Sequence, residues 1–311
     1  VPNLWIDSAG FFFGLLFGSF LNVCIARLPR GESIVKPRSR CPHCGHAIRW
    51  YDNIPVLSWI LLRGRCRDCG QPISPIYPAV ELATGAWFAI AASRIGHILL
   101  LNRLGPNPLP WDSVTQAIIG EMVFATLGFL LIGLLVMDWR TYTLPDAFTL
   151  TGIAIALFLI CSQAIFLGPT QDQVLLQHKA PITAAMSVER GNVFLTGPEA
   201  LIGGRMVAVL AAAAILLLIR AAYKRFRNRE GMGLGDVKLL AMIAAFLGFW
   251  PAILALFLGV FTGAVYGVFQ LARGRAGATS RLPFGSFLAA GGLLAALFGD
   301  TLIDKYMSLF R

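Results

Sequence analysis

VTQAIIGEMVFATLGFLLIGLLVM, residues Val114–Met137, runs directly into Asp138-Trp-Arg-Thr-Tyr-Thr-Leu-Pro145-Asp146. The first 24 residues carry a single charge, Glu121. A helix of that length rises about 36 Å at 1.5 Å per residue, more than the roughly 30 Å hydrocarbon core of a bilayer. Inside lipid only a helix satisfies every backbone group without closing a barrel, so the stretch reads as a transmembrane helix with an acidic residue at its end. Seven further apolar segments flank it: Ala9–Leu28, Ala79–Leu101, Ala147–Leu167, Ala200–Ile219, Val237–Trp250, Ala252–Ala272 and Phe284–Ile303. The expected fold is an all-α polytopic membrane protein of about eight transmembrane helices with one small loop domain. The Val237–Trp250 segment is the short one. Its 14 residues reach only about 21 Å, so either it is a short buried helix or the glycine-rich Gly231–Gly235 stretch is also sunk into the membrane.

Composition agrees. Of 311 residues 57% are hydrophobic and 14% charged, against about 25% charged in soluble domains; the mean hydropathy is +0.70. A soluble enzyme and a disordered chain are both excluded. The first apolar run is too long for a cleavable leader and lacks a small-residue cleavage site. The net charge of +10 is read as membrane topology and as attraction to lipid headgroups, not as a nucleic-acid patch. Connections 29–77, 138–146, 220–236 and 273–282 hold 17 Lys or Arg, whereas 1–8, 102–113, 168–199 and 304–311 hold 5. Alternation through eight helices places the basic set in the cytoplasm and both termini outside. No role is assigned to 168–199.

Four of the six cysteines fall in the cytoplasmic connection, as Cys41-Pro-His-Cys44-Gly and Cys66-Arg-Asp-Cys69-Gly. Thiolates at this spacing point at one ion, the following glycine permits the tight turn, and two such knuckles complete a tetrahedral zinc site. A closed four-thiolate site has no open position for chemistry, so its expected role is structural. His43 and His46 are read as bystanders. Cys24 and Cys161 lie in separate spans and read as small apolar residues.

Two aspartates mark span ends: Asp138, and Asp236 in Gly231-Met-Gly233-Leu-Gly235-Asp236-Val-Lys238. Both fall at the cytoplasmic end of the bilayer by the charge count. A pair of partly desolvated carboxylates sharing a proton is aspartic-protease chemistry, one activating water while the other polarises the scissile carbonyl. The residues alone leave this open, since Asp236 would equally cap a helix and Lys238 would simply snorkel. Asp146, directly after Pro145, is expected to cap the helix that follows. No strand precedes the glycines, so a dinucleotide-binding reading fails.

Taken together these motifs resemble the bacterial type IV prepilin peptidases, which belong to the GxGD group of intramembrane aspartyl proteases. Gly-Met-Gly-Leu-Gly-Asp236 and Asp138…Leu-Pro145-Asp146 carry the likeness, with Gly18-Ser-Phe-Leu-Asn22-Val-Cys-Ile-Ala-Arg27-Leu-Pro29-Arg near the N-terminus. Arg49-Trp-Tyr-Asp-Asn53-Ile-Pro55-Val-Leu-Ser-Trp59, Tyr77-Pro-Ala-Val-Glu81-Leu and Leu282-Pro-Phe-Gly285 extend it. The resemblance implies two activities. One is removal of the basic leader of type IV prepilins and pseudopilins after a glycine at the cytoplasmic membrane face. The other is N-methylation of the exposed residue with S-adenosyl-L-methionine. It implies Asp138 and Asp236 as the protease dyad, Cys41, Cys44, Cys66 and Cys69 as zinc ligands, and Asn22, Gly64 and Glu81 as candidates for the methylation site. Bland roles compete for those three: an interhelical hydrogen bond, a turn and a helix-start charge respectively. The implied domains are a first helix (1–28), a zinc-binding loop (29–77), a second helix with an outside loop (78–113) and a six-helix protease domain (114–311). Two departures stand out. Segment 168–199 is long, and Ser286 replaces an expected proline after Pro-Phe-Gly, a change expected to touch no catalytic group. The competing reading is a non-enzymatic scaffold or transporter whose zinc loop docks a partner, with Glu121 and Arg94 lining a polar pathway.

Overall fold

The structure, a computed structural model, describes residues 4–105, 110–166, 198–228, 232–274 and 282–309. Segment 168–197, Gly231 and residues 275–281 of the last basic connection lie outside the described residues. Among the described residues the regular elements are helical: α1 (Leu4–Arg27), α2 (Leu57–Leu61), α3 (Ile76–Leu104), α4 (Trp111–Thr141), α5 (Asp146–Ile165), α6 (Pro198–Arg227), α7 (Leu234–Leu247), α8 (Phe249–Ala272) and α9 (Phe284–Ser308). Among the described residues six helical stretches are long and apolar enough to cross a membrane: Leu4–Arg30, Ile76–Leu104, Trp111–Thr141, Asp146–Ile165, Leu201–Arg227 and Phe249–Ala272. The other two expected spans are helical but shorter in apolar length, α7 with 14 residues and Phe284–Gly299 within α9.

One expected boundary moves. The break between the sixth and seventh segments falls at Gly248, not at Pro251. Gly248 adopts φ 89° and ψ −179° and closes α7 with its N–H on the Ala244 carbonyl at 2.8 Å. That conformation is essentially restricted to glycine. Phe249 and Trp250 therefore open α8, and Pro251 sits in its first turn, where a missing N–H removes no helical bond.

The chain divides into two compact units, the first comprising Val1–Leu109 and Gly128–Gly133, the second Pro110–Leu127 and Leu134–Arg311. In the first, α1 and α3 meet along Gly10, Gly14 and Gly18, one face of α1 at four-residue spacing. A Cβ on Gly14 would lie 2.7 Å from the Thr84 carbonyl, and one on Gly18 would lie 2.6 Å from Glu81 Cα. Small residues bring membrane helices into backbone contact, where packing rather than hydrophobicity drives association. Phe17 stacks on Phe88 beside this seam, with ring centroids 5.5 Å apart. Cys24 is buried in α1.

In the second unit α7 is the buried element, packed by α5, α6, α8 and α9. Asp236, Val237 and the unbroken run Leu239–Phe246 are all buried, the pattern of a helix that is apolar all round because it faces protein on every side. The sixth segment is thus a short, buried helix. Cys161 lies on an exposed face of α5.

Candidate functional site

The cysteine loop is built from two copies of one turn. Gly45 N–H donates to the Cys41 carbonyl and Gly70 N–H to the Cys66 carbonyl, both at 2.9 Å. Cys41 N–H returns to His46 O at 3.0 Å and Cys66 N–H to Gln71 O at 2.8 Å. Each turn needs a residue at positive φ directly after its second cysteine, and glycine supplies it, at 73° for Gly45 and 69° for Gly70. Short bridges, Arg40 with Ala47 and Arg65 with Pro72, close the two knuckles.

The four sulfurs, from Cys41, Cys44, Cys66 and Cys69, all lie within 4.8 Å of one another, and Cys41 Sγ and Cys69 Sγ are 3.8 Å apart. A tetrahedral zinc with Zn–S bonds of about 2.3 Å has S···S edges of about 3.8 Å, so the donor set fits that ion. Burial pushes the Cys41 thiol up, but backbone N–H groups of Cys44 and His43 and the neighbouring thiols outweigh it and bring it down to about 7. His43 and His46 stay outside the four-sulfur set.

Around the knuckles, the Arg67 guanidinium grips Asp52 through Nε–Oδ2 at 2.9 Å and Nη2–Oδ1 at 2.6 Å. It also lies 5.5 Å over the Tyr51 ring. This grip holds the Asp52 carboxyl below the usual carboxylate range.

Of the three methylation candidates, two are brought together. Asn22 Nδ2 donates to Tyr77 O at 3.0 Å and reaches Glu81 Oε1 at 3.5 Å. Glu81 Oε2 accepts the Val56 N–H at 2.8 Å, and Val56 sits at φ 60°, a genuine outlier for a β-branched residue. Gly64 lies instead in the turn beneath Trp59, where a Cβ would meet Trp59 Cζ2 at 3.0 Å.

In the second unit Asp138 sits in the last turn of α4, only 5% exposed. Tyr142 ends that helix at φ 54°, with its N–H on the Asp138 carbonyl at 2.9 Å. Ser286, in the first turn of α9, donates to Asp138 Oδ2 from its backbone N–H at 2.7 Å and from Oγ at 3.1 Å. The same N–H also reaches the Pro283 carbonyl at 3.2 Å, so Asp138 takes the shorter arm of a shared bond at the positive end of α9. The expectation that Ser286 touches no catalytic candidate is overturned. A proline there would have neither donor.

Asp236 occupies the first turn of α7 and is 9% exposed. Leu144, in the link between α4 and α5, is the common neighbour of the two aspartate regions. A Cβ on Gly235 would lie 3.1 Å from Leu144 Cβ, and one on Gly285 would lie 2.9 Å from Leu144 Cδ1 and 3.0 Å from Asp138 Cγ.

Asp146 is the first residue of α5, one past the cap position, which Pro145 occupies. It pairs with Lys238, Nζ to Oδ1 at 2.6 Å. The cap expected of Asp146 is not found, and Lys238, for which snorkelling is one open reading of the sequence, is the partner of Asp146.

Fold and site together define a multi-pass helical membrane protein with two nearly buried aspartates at helix ends and a four-cysteine loop near its N-terminus. Residues 12–95 match the bacterial peptidase A24 N-terminal domain and residues 123–268 the type IV leader peptidase family. The chain belongs to the type IV leader peptidase family. It is 31% identical over 321 residues to a prepilin leader peptidase/N-methyltransferase of Stutzerimonas stutzeri, covering 96% of this chain and 92% of that protein. A protein of the same description from Burkholderia pseudomallei (strain 1026b) is 33% identical over 312 residues, covering 92% and 83%. Another from Myxococcus xanthus (strain DK1622) is 36% identical over 269 residues, covering 86% of this chain, which spans 64% of that relative's length. No solved structure matches the chain.

Proposed function

We propose that the chain is a bifunctional membrane enzyme that removes the basic leader from type IV prepilins and pseudopilins after a glycine, and then N-methylates the new N-terminal residue with S-adenosyl-L-methionine. The observation that carries this reading is the pair of nearly buried aspartates, Asp138 and Asp236, flanking Leu144 in a chain of this family. In the proposed cycle one carboxylate takes a proton from water, whose oxygen attacks the scissile carbonyl carbon. The other, protonated, gives its proton to the carbonyl oxygen. The tetrahedral intermediate then collapses: the C–N bond breaks, the departing amine takes the proton held by the first carboxyl, and the second carboxylate takes one back from a hydroxyl of the intermediate. A transmembrane helix resists proteolysis because its peptide groups are already paired, so a glycine-weakened helix end is the accessible site.

The first unit takes the second step in this reading, with Asn22 and Glu81 near the methylation site and Gly64 shaping the loop beside it. S-adenosyl-L-methionine would supply the methyl group; the amine nitrogen accepts it and loses one proton. Cys41, Cys44, Cys66 and Cys69 would hold a structural zinc that fixes the loop. The 17-to-5 asymmetry of Lys and Arg between the two sets of connections supports a cytoplasmic loop and cytoplasmic aspartates in the inner membrane, the side on which a basic leader lies.

The test is mass analysis of a synthetic segment, basic leader then Gly-Phe then an apolar helix, incubated with purified protein. Wild type is expected to cut after glycine and, with S-adenosyl-L-methionine, to add about 14 Da to the product. Asp138→Asn and Asp236→Asn are expected to lose cleavage by three or more orders of magnitude while keeping their helical content. Near-normal turnover in either variant would rule out the dyad.

A further inference from the structure

Ser286 occupies a position where neither donor it uses would be available to proline. Its backbone N–H and hydroxyl both converge on one oxygen of Asp138, Oδ2, at 2.7 and 3.1 Å; Oδ1 takes part in neither bond. The residue is 3% exposed, so water does not substitute for these bonds. A second acceptor is also in reach: Ser286 Oγ lies 2.9 Å from the Leu135 carbonyl, one turn before Asp138 in α4. A hydroxyl has one proton to give and two lone pairs to offer. It donates either to Oδ2 or to Leu135 O at a given moment, and when it donates to Leu135 it is free to accept from Oδ2.

We infer that Ser286 is a positioning residue for Asp138, whose hydroxyl turns between Asp138 Oδ2 and the Leu135 carbonyl and so holds the carboxyl in place in both protonation states. When Asp138 is ionised, the hydroxyl donates to Oδ2 alongside the backbone N–H. When Asp138 carries a proton on Oδ2, that O–H donates a hydrogen bond to Ser286 Oγ while the hydroxyl donates its own to the Leu135 carbonyl. No proton leaves the pair and no group moves beyond a rotation about Cβ–Oγ. A general base visits both states in each turnover, so a partner that serves only one would release the carboxyl halfway. Gly285 makes the approach possible, because a Cβ there would stand 3.1 Å from the same Oδ2.

This inference rests on Asp138 being a catalytic carboxyl, and the experiment separates the two. Full-length Ser286→Ala, which keeps the backbone N–H, is compared with wild type in lipid nanodiscs on the leader–Gly-Phe–helix peptide. A hydrogen bond to a charged group sets the expected scale, so kcat should fall roughly 10- to 100-fold with KM within about twofold. An unchanged kcat, or a kcat and KM that deteriorate together, overturns the assignment. In parallel, the Asp138 carboxyl stretch is identified by infrared difference against Asp138→Asn. In Ser286→Ala that band should move. If wild type cuts no peptide, the proposed function fails, and the infrared band still decides on Ser286: a band unmoved by the substitution overturns it.

Discussion

Lys238 Nζ stands 2.6 Å from Asp146 Oδ1, tying the first turn of α7, two residues past Asp236, to the start of α5. The pair joins residues 92 apart in the chain. Its members are 33% and 60% exposed, so solvent screens the attraction. A double-mutant cycle with Lys238→Met and Asp146→Asn, read by thermal unfolding in detergent, should give a coupling of about 0.5–1 kcal/mol. A coupling indistinguishable from zero would mean that the contact adds nothing to the fold.

Gly285 has no room for a side chain, since a Cβ would meet Asp138 Cγ at 3.0 Å and Leu144 Cδ1 at 2.9 Å. Gly285→Ala is therefore expected to displace Asp138 and lower kcat by about 100-fold, the scale of an ångström-sized misplacement at a reacting group. Gly263→Ala is the matched control in the same unit, because its new Cβ would sit 3.4 Å from Phe287, close to ordinary contact. Equal activity loss in both variants would refute a site-specific effect.

For the cysteine loop, the prediction concerns metal content. Purified protein should carry one zinc per chain by elemental analysis. Cys41→Ser and Cys66→Ser should each bring this close to zero and render the 29–77 loop sensitive to protease, since ligand loss removes folding free energy. Cleavage of the leader is expected to survive better than methylation, because the aspartates lie in the other unit. Full zinc occupancy in either variant would dismiss the four-sulfur site.

Acid should loosen the same loop through a separate route. Arg67 holds the Asp52 carboxyl below its usual range. A depressed value in the folded state means that the pair's contribution is complete above the unfolded carboxyl value of about 4 and is lost as pH falls below it. Protease sensitivity of the loop, followed from pH 6 downward, should rise over that window in wild type. Arg67→Met should remove the part of the slope due to Asp52. Identical profiles for the two proteins would show that the ion pair is without consequence there.

Much of this molecule was written in local pattern. Long apolar runs fix membrane helices because a bilayer leaves the backbone no other way to satisfy its polar groups. Each Cys-x-x-Cys-Gly folds into its knuckle through bonds that span only a few residues, from Gly45 to Cys41 and from Gly70 to Cys66. Even the seam between α1 and α3 left a trace, in Gly10, Gly14 and Gly18 at four-residue spacing, though the spacing does not name Thr84 and Glu81 as the residues they would meet.

What the chain order could not express is which distant residues pack together. The sequence shows Ser286 as a missing proline; the structure shows it across 148 residues of chain, bonded twice to Asp138. Asp146 reads as a cap and Lys238 as a snorkelling cation until α5 and α7 pack and the two become a pair. The 14 residues of α7 are too short to settle their own place by hydropathy, and only burial by four other helices makes that helix the centre of its unit. Hydropathy, turn glycines and ligand spacing act between near neighbours and are legible in order along the chain. The surroundings of a carboxyl depend on helix packing, which decides the partners only when all the helices are in place.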